Sequence, residues 1–571
     1  MNKDIGRIVE VRGVDVKAKL FRLLPPYLIR NGQVVSAPKI NSFVKTKVGL
    51  DTIICQVIGE YNIEKEDKTL DHFLDLKVKG YIEKGKFIQG LRMLPIVSSN
   101  LSLLNNDDYS IVYNNDLTYS FPIGDDLFEV NKSVYLKYND IIPSHIGIFG
   151  NTGSGKSNTL SNILYNYMTE LSKYESSSAK VLIFDLNNEY GKDSVCAESD
   201  KALYNLTTRT DSKKKIPFKF SDISEDDFCV LLNATVKTQA PTLKNAFRMM
   251  KKNKDTSYYR EYISRILKNN RRDLFFSIRM YLGDYLKNID EISWYSKEDV
   301  FYVDKGSGRW LFSNQDEFEN EIINKIIINI PSEPLDRILF ELCFSIAKEC
   351  EHGINSDYLL PLLHRAEKLF SDLKKVFNFE SSDDLFEDKY IAIIQLANTN
   401  IDMEMIIPSL ITNVIFQNQL NVKGEGEVNS IINIVIDEAH NILYKDNESI
   451  LHNSVLSSFE KVVKEGRKFG VFLMIASQRP SDISNTVLSQ LHNYFIHKLV
   501  NPNDLFQIRK TVAFLDENAL NFLTILAPGE CILSGTALKM PSFIHVYELE
   551  EKTKPNSSNV ILFGEKGIIS K

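Results

Sequence analysis

The chain has 571 residues, 43% hydrophobic and 25% charged, the proportions of a folded soluble protein rather than a disordered or fibrous one. That length calls for two or three domains with a large buried core. Sixty-eight Lys and Arg stand against 75 Asp and Glu, a net charge of −7, so a uniform nucleic-acid coat is excluded and any DNA contact has to be gathered in a local patch or channel. No run approaches the roughly 18–20 consecutive apolar residues of a membrane helix, and the opening Met-Asn-Lys-Asp-Ile-Gly lacks the apolar core of a secretory leader. A cytoplasmic protein with no membrane attachment is expected. Cys55, Cys196, Cys229, Cys343, Cys350 and Cys531 show no C-x-x-C spacing, which fits a reducing compartment and speaks against a zinc site or a disulfide framework.

Over residues 1–110 the chain alternates apolar and polar residues in short runs (8–14, 52–58, 73–82), punctuated by Gly13, Gly49, Gly59, Gly80 and Gly85. Short strands with glycine turns predict a small N-terminal β-barrel. The rhythm changes near residue 120. A short apolar run at 145–149 meets a glycine-rich turn, a helical pattern covers about 156–171, and a second apolar run, 181–184, follows a serine loop and ends at Asp185. Strand, loop, helix, strand is the opening of an α/β domain with a parallel sheet. Residues 221–388 read as a helical insertion, with apolar residues at spacings of three and four and few strand signals. Strand-like runs resume at 391–396, 431–436, 471–477 and 495–500, then at 531–533 and 543–547. The α/β domain is thus expected over 111–220 and 389–550, split by the insertion, with a tail over 551–571. The tail holds a polar linker and a short apolar segment, 559–564, which either docks on a neighbouring subunit or folds back on its own.

The sharpest signal is Gly150-Asn-Thr-Gly-Ser-Gly-Lys-Ser157, a full match to G-x-x-x-x-G-K-[ST] between a strand and a helix. Its glycines let backbone N–H groups turn inward onto phosphate oxygens, and the helix N-terminus adds partial positive charge. Lys156 would reach the β- and γ-phosphates and the Ser157 hydroxyl would be a ligand of Mg²⁺. The second signal is the apolar strand 431–436 ending in Asp437 and Glu438. Asp437 is placed to hold Mg²⁺ through water, and the adjacent Glu438 to polarise an attacking water, which points to hydrolysis. Within forty residues follow Glu465-Gly-Arg-Lys-Phe-Gly470, the strand 471–476 and Ser477-Gln-Arg-Pro480. Gln478, at the end of a neighbouring strand, would contact the γ-phosphate or the water. Arg467, if it sits at the far side of the sheet, can reach a neighbour's phosphate rather than its own, which implies a ring; otherwise it is a solvated surface arginine. Arg479 is either a turn arginine before Pro480 or an interface or DNA contact.

These motifs in this order resemble the HerA–FtsK branch of P-loop ATPases, and most closely the HerA family, through 145–158, 184–191, 434–441, 465–470, 477–480 and, more weakly, 528–535 with Pro541. The resemblance implies a RecA-like ATPase domain behind a small barrel, a homohexameric ring that hydrolyses ATP with Mg²⁺ between subunits, and movement of double-stranded DNA through its channel. Carried over residue by residue, Gly150, Asn151, Thr152, Gly153, Ser154, Gly155, Lys156, Ser157 and Asn158 bind nucleotide, and Ser157 and Asp437 serve the metal. Glu438 is then the catalytic acid, Gln478 the γ-phosphate sensor and Arg467 the arginine finger acting in trans. The family pattern after the second strand has Asp-Pro and a small residue before Glu-Tyr, whereas this chain has Asp185-Leu-Asn-Asn-Glu-Tyr190.

With one catalytic constellation visible, the chain is expected to serve a separate effector docked on the barrel. By the resemblance this is a NurA-type nuclease in DNA-end resection or, in antiphage defence, a nuclease or a sirtuin-like NAD-consuming enzyme. The asparagine- and lysine-rich composition leans toward defence. Two alternatives stand beside the motor: an ATP-dependent hexameric scaffold that regulates its effector without processive translocation, and a conjugation or secretion ATPase of the same superfamily. The basic, tyrosine-laced stretch 244–272 and Lys213-Lys-Lys215 read first as solvated charged surface and second as DNA contacts. Cys343, Cys350 and His352 lack a fourth ligand at a sensible spacing for a metal, and the cysteines read as core residues.

Overall fold

The computed structural model describes residues 4–556 apart from 31–32, 67, 91, 114–116, 131, 174–177, 192, 253–254, 307, 382, 424–427, 429, 446–449, 513–514, 516 and 551. The apolar tail segment 559–564 lies outside the described residues.

The N-terminal region is a closed barrel of six antiparallel strands: β1 (Asp4–Arg12), β2 (Asp15–Leu20), β3 (Phe43–Val48), β4 (Asp51–Glu64), β5 (Leu70–Glu83) and β6 (Asn100–Leu103). They run in the order β2-β1-β6-β3-β4-β5, and β5 returns to pair with β2. Period-two alternation turns Ile8, Val16, Ala18, Val44, Ile53, Cys55, Leu74 and Leu76 inward. Gly13 and Gly49 each adopt φ of 62° in tight turns, a backbone that glycine takes without a steric penalty. Gly59 and Gly80, expected as turn punctuation, instead lie inside the long β4–β5 ladder at its register shifts. A Cβ on Gly80 would sit 2.4 Å from the Ile88 carbonyl, so these two glycines permit the bulge and close approach that bend the sheet into closure. A hairpin of Tyr27–Arg30 and Gln33–Ser36 pairs only within itself among the described residues. It leaves Tyr27, Ile29 and Val34 at 60%, 76% and 51% exposure.

The second region is an 11-stranded sheet. Its strands are β7 (Ser120–Asp126), β8 (Ser133–Lys137), β9 (Ile146–Phe149), β10 (Ala179–Asp185), β11 (Lys201–Thr207), β12 (Ile391–Asn398), β13 (Ile431–Ile436), β14 (Val471–Ser477), β15 (Asn493–His497), β16 (Glu530–Gly535) and β17 (Ser542–Val546). The order is β8-β7-β17-β16-β15-β9-β14-β13-β10-β12-β11. From β15 to β11 every pairing is parallel, and the β8-to-β16 flank is antiparallel. Parallel strands covered on both faces need continuous apolar runs, and IINIVI in β13 and VFLMIAS in β14 provide them. Alternate residues feed two cores: Leu182, Ile434, Ile436, Leu473 and Ile475 on one face, Val181, Ile183, Val435, Met474 and Ala476 on the other. The α/β reading omits β7, β8 and β11, whose mixed polar sequences give no apolar run.

Between β11 and β12 the chain builds helices α2 (Gln239–Lys252), α3 (Thr256–Lys268), α4 (Arg272–Leu282), α5 (Pro334–Glu351) and α6 (Leu360–Val376); α1 (Lys156–Leu171) precedes them, and α7 (Ile401–Lys423) and α8 (Ile450–Glu465) follow. Helix α5 starts with Pro334 in its first turn, and the Glu333 carboxylate accepts the Asp336 N–H at 2.8 Å. The insertion also carries a three-stranded meander, Ser293–Tyr295, Val300–Asp304 and Trp310–Phe312, in strands too short for a periodicity signal. Cys343 and Cys350 are buried in the core along α5.

Part of the basic stretch is spent on internal ion pairs: Lys244 with Asp226, Lys251 with Glu225, Arg265 with Glu261 and Glu351, and Lys268 with Glu319. Tyr259 and Tyr262 face the core. Lys214 pairs with Glu387 and Lys215 with Asp211.

Candidate nucleotide site

Parallel register decides what meets at the sheet's edge. Phe149 lies level with Ser477 and Ile496, and Phe184 with Ile436. The residues that follow these positions, Gly150, Gln478, His497, Asp185 and Asp437, therefore emerge together at the carboxyl ends of the strands, where open α/β sheets bind ligands.

The loop 150–155 wraps into the N-terminus of α1. Gly153 and Gly155 have φ of 73° and 107°, and a Cβ on Gly155 would lie 3.0 Å from the Gly529 nitrogen. Conformation and space both demand glycine there. The base of the loop is held by Asn151 N–H to the Lys498 carbonyl at 2.9 Å, Gly150 N–H to Ser477 at 3.3 Å and Gly529 N–H to Ser154 at 3.0 Å. His497 stands beneath it, fully buried, its Nδ1 at 2.9 Å from the Glu530 carbonyl and its Nε2 at 2.9 Å from Thr159 Oγ1. Burial drives the His497 pKa down to about 3, so a neutral ring donates to the carbonyl and accepts from the hydroxyl. Lys156 is buried, and its Nζ donates to the Asn151 carbonyl at 3.1 Å. Burial lowers its pKa, while Glu438, Asp437 and Glu189 pull it back up. The Asn158 side chain turns away from the cradle, donating to Tyr547 O at 3.1 Å and accepting from Leu549 N–H at 3.3 Å.

Across the loop, Glu438 takes a left-handed backbone, φ 52°, a conformation costly for a side-chain-bearing residue. Its N–H donates to Asp437 Oδ1 at 2.9 Å. Its Oε1 accepts from Gln478 Nε2, and Gln478 Oε1 in turn accepts from the Thr152 hydroxyl. Thus Gln478 joins the tip of the phosphate loop to the acid. His440 Nδ1 lies 3.3 Å from Glu438 Oε2. Asp437 Oδ2 accepts from the buried Tyr190 hydroxyl at 3.0 Å. Burial first, then Glu189 and Glu438, push the Asp437 pKa up to about 7.

The turn after β10 completes the site. Asp185, fully buried, accepts from the N–H groups of Glu189 at 3.0 Å and Tyr190 at 2.9 Å and from Gln395 Nε2 at 3.3 Å. Asn188 adopts φ of 59° in this turn, and Asn187 Nδ2 reaches Glu189 Oε1 at 3.4 Å. The two asparagines between Leu186 and Glu189 therefore shape the turn that delivers Glu189. Glu189, Tyr190 and His497 escape sequence reasoning as site residues; only the Glu-Tyr pair within 184–191 hinted at them.

Arg467 is exposed in the 3₁₀ turn Gly466–Phe469 that precedes β14. It influences His145 and His492, which stack with ring centroids 5.2 Å apart, at the amino end of the strands. Seven strand residues separate it from the Gln478 end, about 20 Å at the usual rise per residue. Arg479 stays at the nucleotide end, 68% exposed and 3.8 Å from Asp482.

A raised carboxylate makes a stability prediction. Asp437 is nearly neutral in the fold below pH 7, whereas an unfolded aspartate ionises near ~3.9. Its contribution is fully present below that lower value and is lost as pH rises toward about 7. Each pKa unit is worth about 1.4 kcal/mol, so at pH 8 the buried charge costs on the order of a few kcal/mol. Asp437→Asn is expected to raise the melting temperature of the nucleotide-free protein at pH 8 by more than at pH 5. Thermal unfolding at the two pH values checks this, and an equal gain at both contradicts it.

A phosphate loop at the head of a helix, an acid pair ending the strand two places away and a glutamine on the strand between them define a P-loop ATPase. The profile described as the central domain of helicase HerA matches residues 122–415, and that of the HerA-like helicase C-terminal domain matches 415–548. The chain belongs to the HerA family. It is 24% identical over 473 residues to the DNA double-strand break repair helicase HerA of Sulfurisphaera tokodaii, covering 82% of this chain and 76% of that one. To a probable helicase of Methanocaldococcus jannaschii it is 26% identical over 438 residues, covering 76% and 69%. Among solved structures it is similar to VirB4 of Thermoanaerobacter pseudethanolicus, with a TM-score of 0.41 at 15% identity over 76% of this chain and 98% of that one. Among the described residues no helix is long and apolar enough to cross a membrane.

Proposed function

We propose that the chain is the subunit of a homohexameric ring that hydrolyses ATP between neighbours and uses the cycle to move double-stranded DNA through its channel on behalf of a separate effector. The observation that carries this is the separation of parts on one sheet. Phosphate loop, acid and glutamine share the carboxyl edge, while Arg467 is exposed about 20 Å away at the amino edge, out of reach of its own site and available to another subunit's.

Backbone N–H groups of 150–156 and the first turn of α1 hold the triphosphate, and Lys156 neutralises its outer phosphates. Glu438, its carboxylate fixed by Gln478, accepts the proton of the attacking water while the neighbour's Arg467 offsets charge on the transferred phosphoryl. A divalent cation fits the donor set: three carboxylates, Asp437, Glu438 and Glu189, face the single Lys156 ammonium. Mg²⁺ would be held by the Ser157 hydroxyl and the Asp437 side and would supply charge neutralisation to the bound triphosphate.

The barrel is the proposed docking face, since its hairpin exposes Tyr27, Ile29 and Val34 side by side. A nuclease partner in DNA-end processing is supported by the repair role named for the relatives. An antiphage setting, with a nuclease or a sirtuin-like NAD-consuming partner, is supported by composition alone. ATP turnover of the purified protein, with and without linear double-stranded DNA at two salt concentrations and with Lys156→Ala as the blank, tests the motor. DNA is expected to stimulate turnover, and the stimulation to fall steeply with salt because phosphate contacts release counterions. Turnover indifferent to DNA would replace the motor with a scaffold whose ATP cycle governs its partner.

A further inference from the structure

The turn after β10 brings to the nucleotide site a carboxylate, Glu189, that the mechanism above counts among the acids facing Lys156 but gives no role of its own. Both oxygens of Asp437 are engaged within the protein, Oδ1 by the Glu438 N–H and Oδ2 by the Tyr190 hydroxyl. Glu438 Oε1 is engaged by Gln478, and its Oε2 faces His440 at 3.3 Å. Glu189 differs. Its Oε1 accepts from Asn187 Nδ2 at 3.4 Å and its Oε2 is buried with no hydrogen-bond partner in the protein; burial raises its pKa, while Asn187 and Ser157, the residue whose hydroxyl would ligate the metal, pull it down. The turn is built to hold it there: Asp185 caps the N–H of Glu189, and the Glu189 carbonyl accepts from Asn556 N–H at 2.8 Å. A buried, unpartnered carboxylate oxygen is expensive, and a cation with its water shell relieves that cost by supplying both charge and hydrogen-bond donors.

We infer that Glu189 shares with Ser157 the positioning of the nucleotide's divalent cation, through the cation's water shell, a task Asp437 fills only in part because both its oxygens are already hydrogen-bonded. Glu189 is thus a positioning residue, and its effect should appear in metal affinity before it appears in turnover. The inference rests on the nucleotide site proposed above.

The test reads Mn²⁺ by its paramagnetic resonance in the complex with a non-hydrolysable ATP analogue, together with analogue binding in chelator and the melting temperature of the same samples. Glu189→Gln is expected to weaken Mn²⁺ in the complex about tenfold or more, the usual cost of losing a partner of a metal's ligand shell. Analogue binding in chelator should hold, and the melting temperature should not fall. Unchanged Mn²⁺ affinity in Glu189→Gln, with normal wild-type binding, overturns the inference alone. A wild-type protein that binds no analogue with or without Mn²⁺ overturns the nucleotide site itself. If Glu189→Gln fails to fold, Glu189→Asp decides: weakened Mn²⁺ binding at an unchanged melting temperature supports the role, and unchanged binding refutes it.

Discussion

Arg467→Ala is expected to lower ATP turnover about a thousandfold or more while leaving nucleotide affinity nearly unaltered. The magnitude is that of arginine fingers in phosphoryl transfer. The selectivity follows from place: Arg467 is exposed at the amino edge of the sheet and makes no part of the cradle formed by 150–157. The same geometry predicts complementation. Mixed with Lys156→Ala subunits, whose own site is dead but whose Arg467 is intact, Arg467→Ala subunits should recover part of their turnover, because some interfaces then combine a working cradle with a working arginine. A residue acting on its own subunit's nucleotide could not be rescued in this way. Steady-state turnover of the single variants and of their mixtures measures both effects, and near-normal turnover in Arg467→Ala would move the finger to Arg479, which lies at the nucleotide edge.

Glu438→Gln is the second large effect. The substitution keeps the side chain's shape and an oxygen for Gln478 Nε2 but removes the base, so turnover should fall by roughly 10²–10⁴. Nucleotide should still bind, and assembly should persist. The left-handed backbone at Glu438 is tolerated because its N–H is held by Asp437 and its carboxylate by Gln478; that strain is spent on aiming the carboxylate across the loop. Single-turnover hydrolysis with trapped nucleotide distinguishes a lost base from lost binding. A variant that assembles and still activates an effector would show that the ring regulates by occupancy rather than by turnover.

Lys156, Ser157, Asp437 and Glu438 were legible in the sequence because their chemistry demands fixed residue types at fixed spacing along one strand-turn-helix or one strand end. Gln478 was legible from its place after a strand next to the acid pair. Glu189 and Tyr190 lie within a motif, yet their places beside Asp437 could not be read, since they depend on a turn that a buried Asp185 folds back by two hydrogen bonds. His497 was invisible for a plainer reason. A single histidine at a strand end carries no pattern, and only the parallel register of β15 with β9 puts it under the phosphate loop. In the fold, the buried parallel strands announced themselves through unbroken apolar runs. The antiparallel flank β7–β8 and the insertion's meander did not, because strands that are short or only half buried mix polar residues into the pattern. Tyr259 and Tyr262 look like part of a nucleic-acid surface in one dimension and are core residues in three, since helical spacing turns them onto the face that packs.

The closure of the N-terminal barrel has a mechanical meaning. In an open sheet an outer strand can be peeled away one hydrogen bond at a time, so a steady pull finds a weak end. Here β5 pairs with β4 on one side and β2 on the other, and extracting any of the six strands means shearing two ladders together. Whatever is anchored to that barrel is tied to a mount that resists tension as a unit.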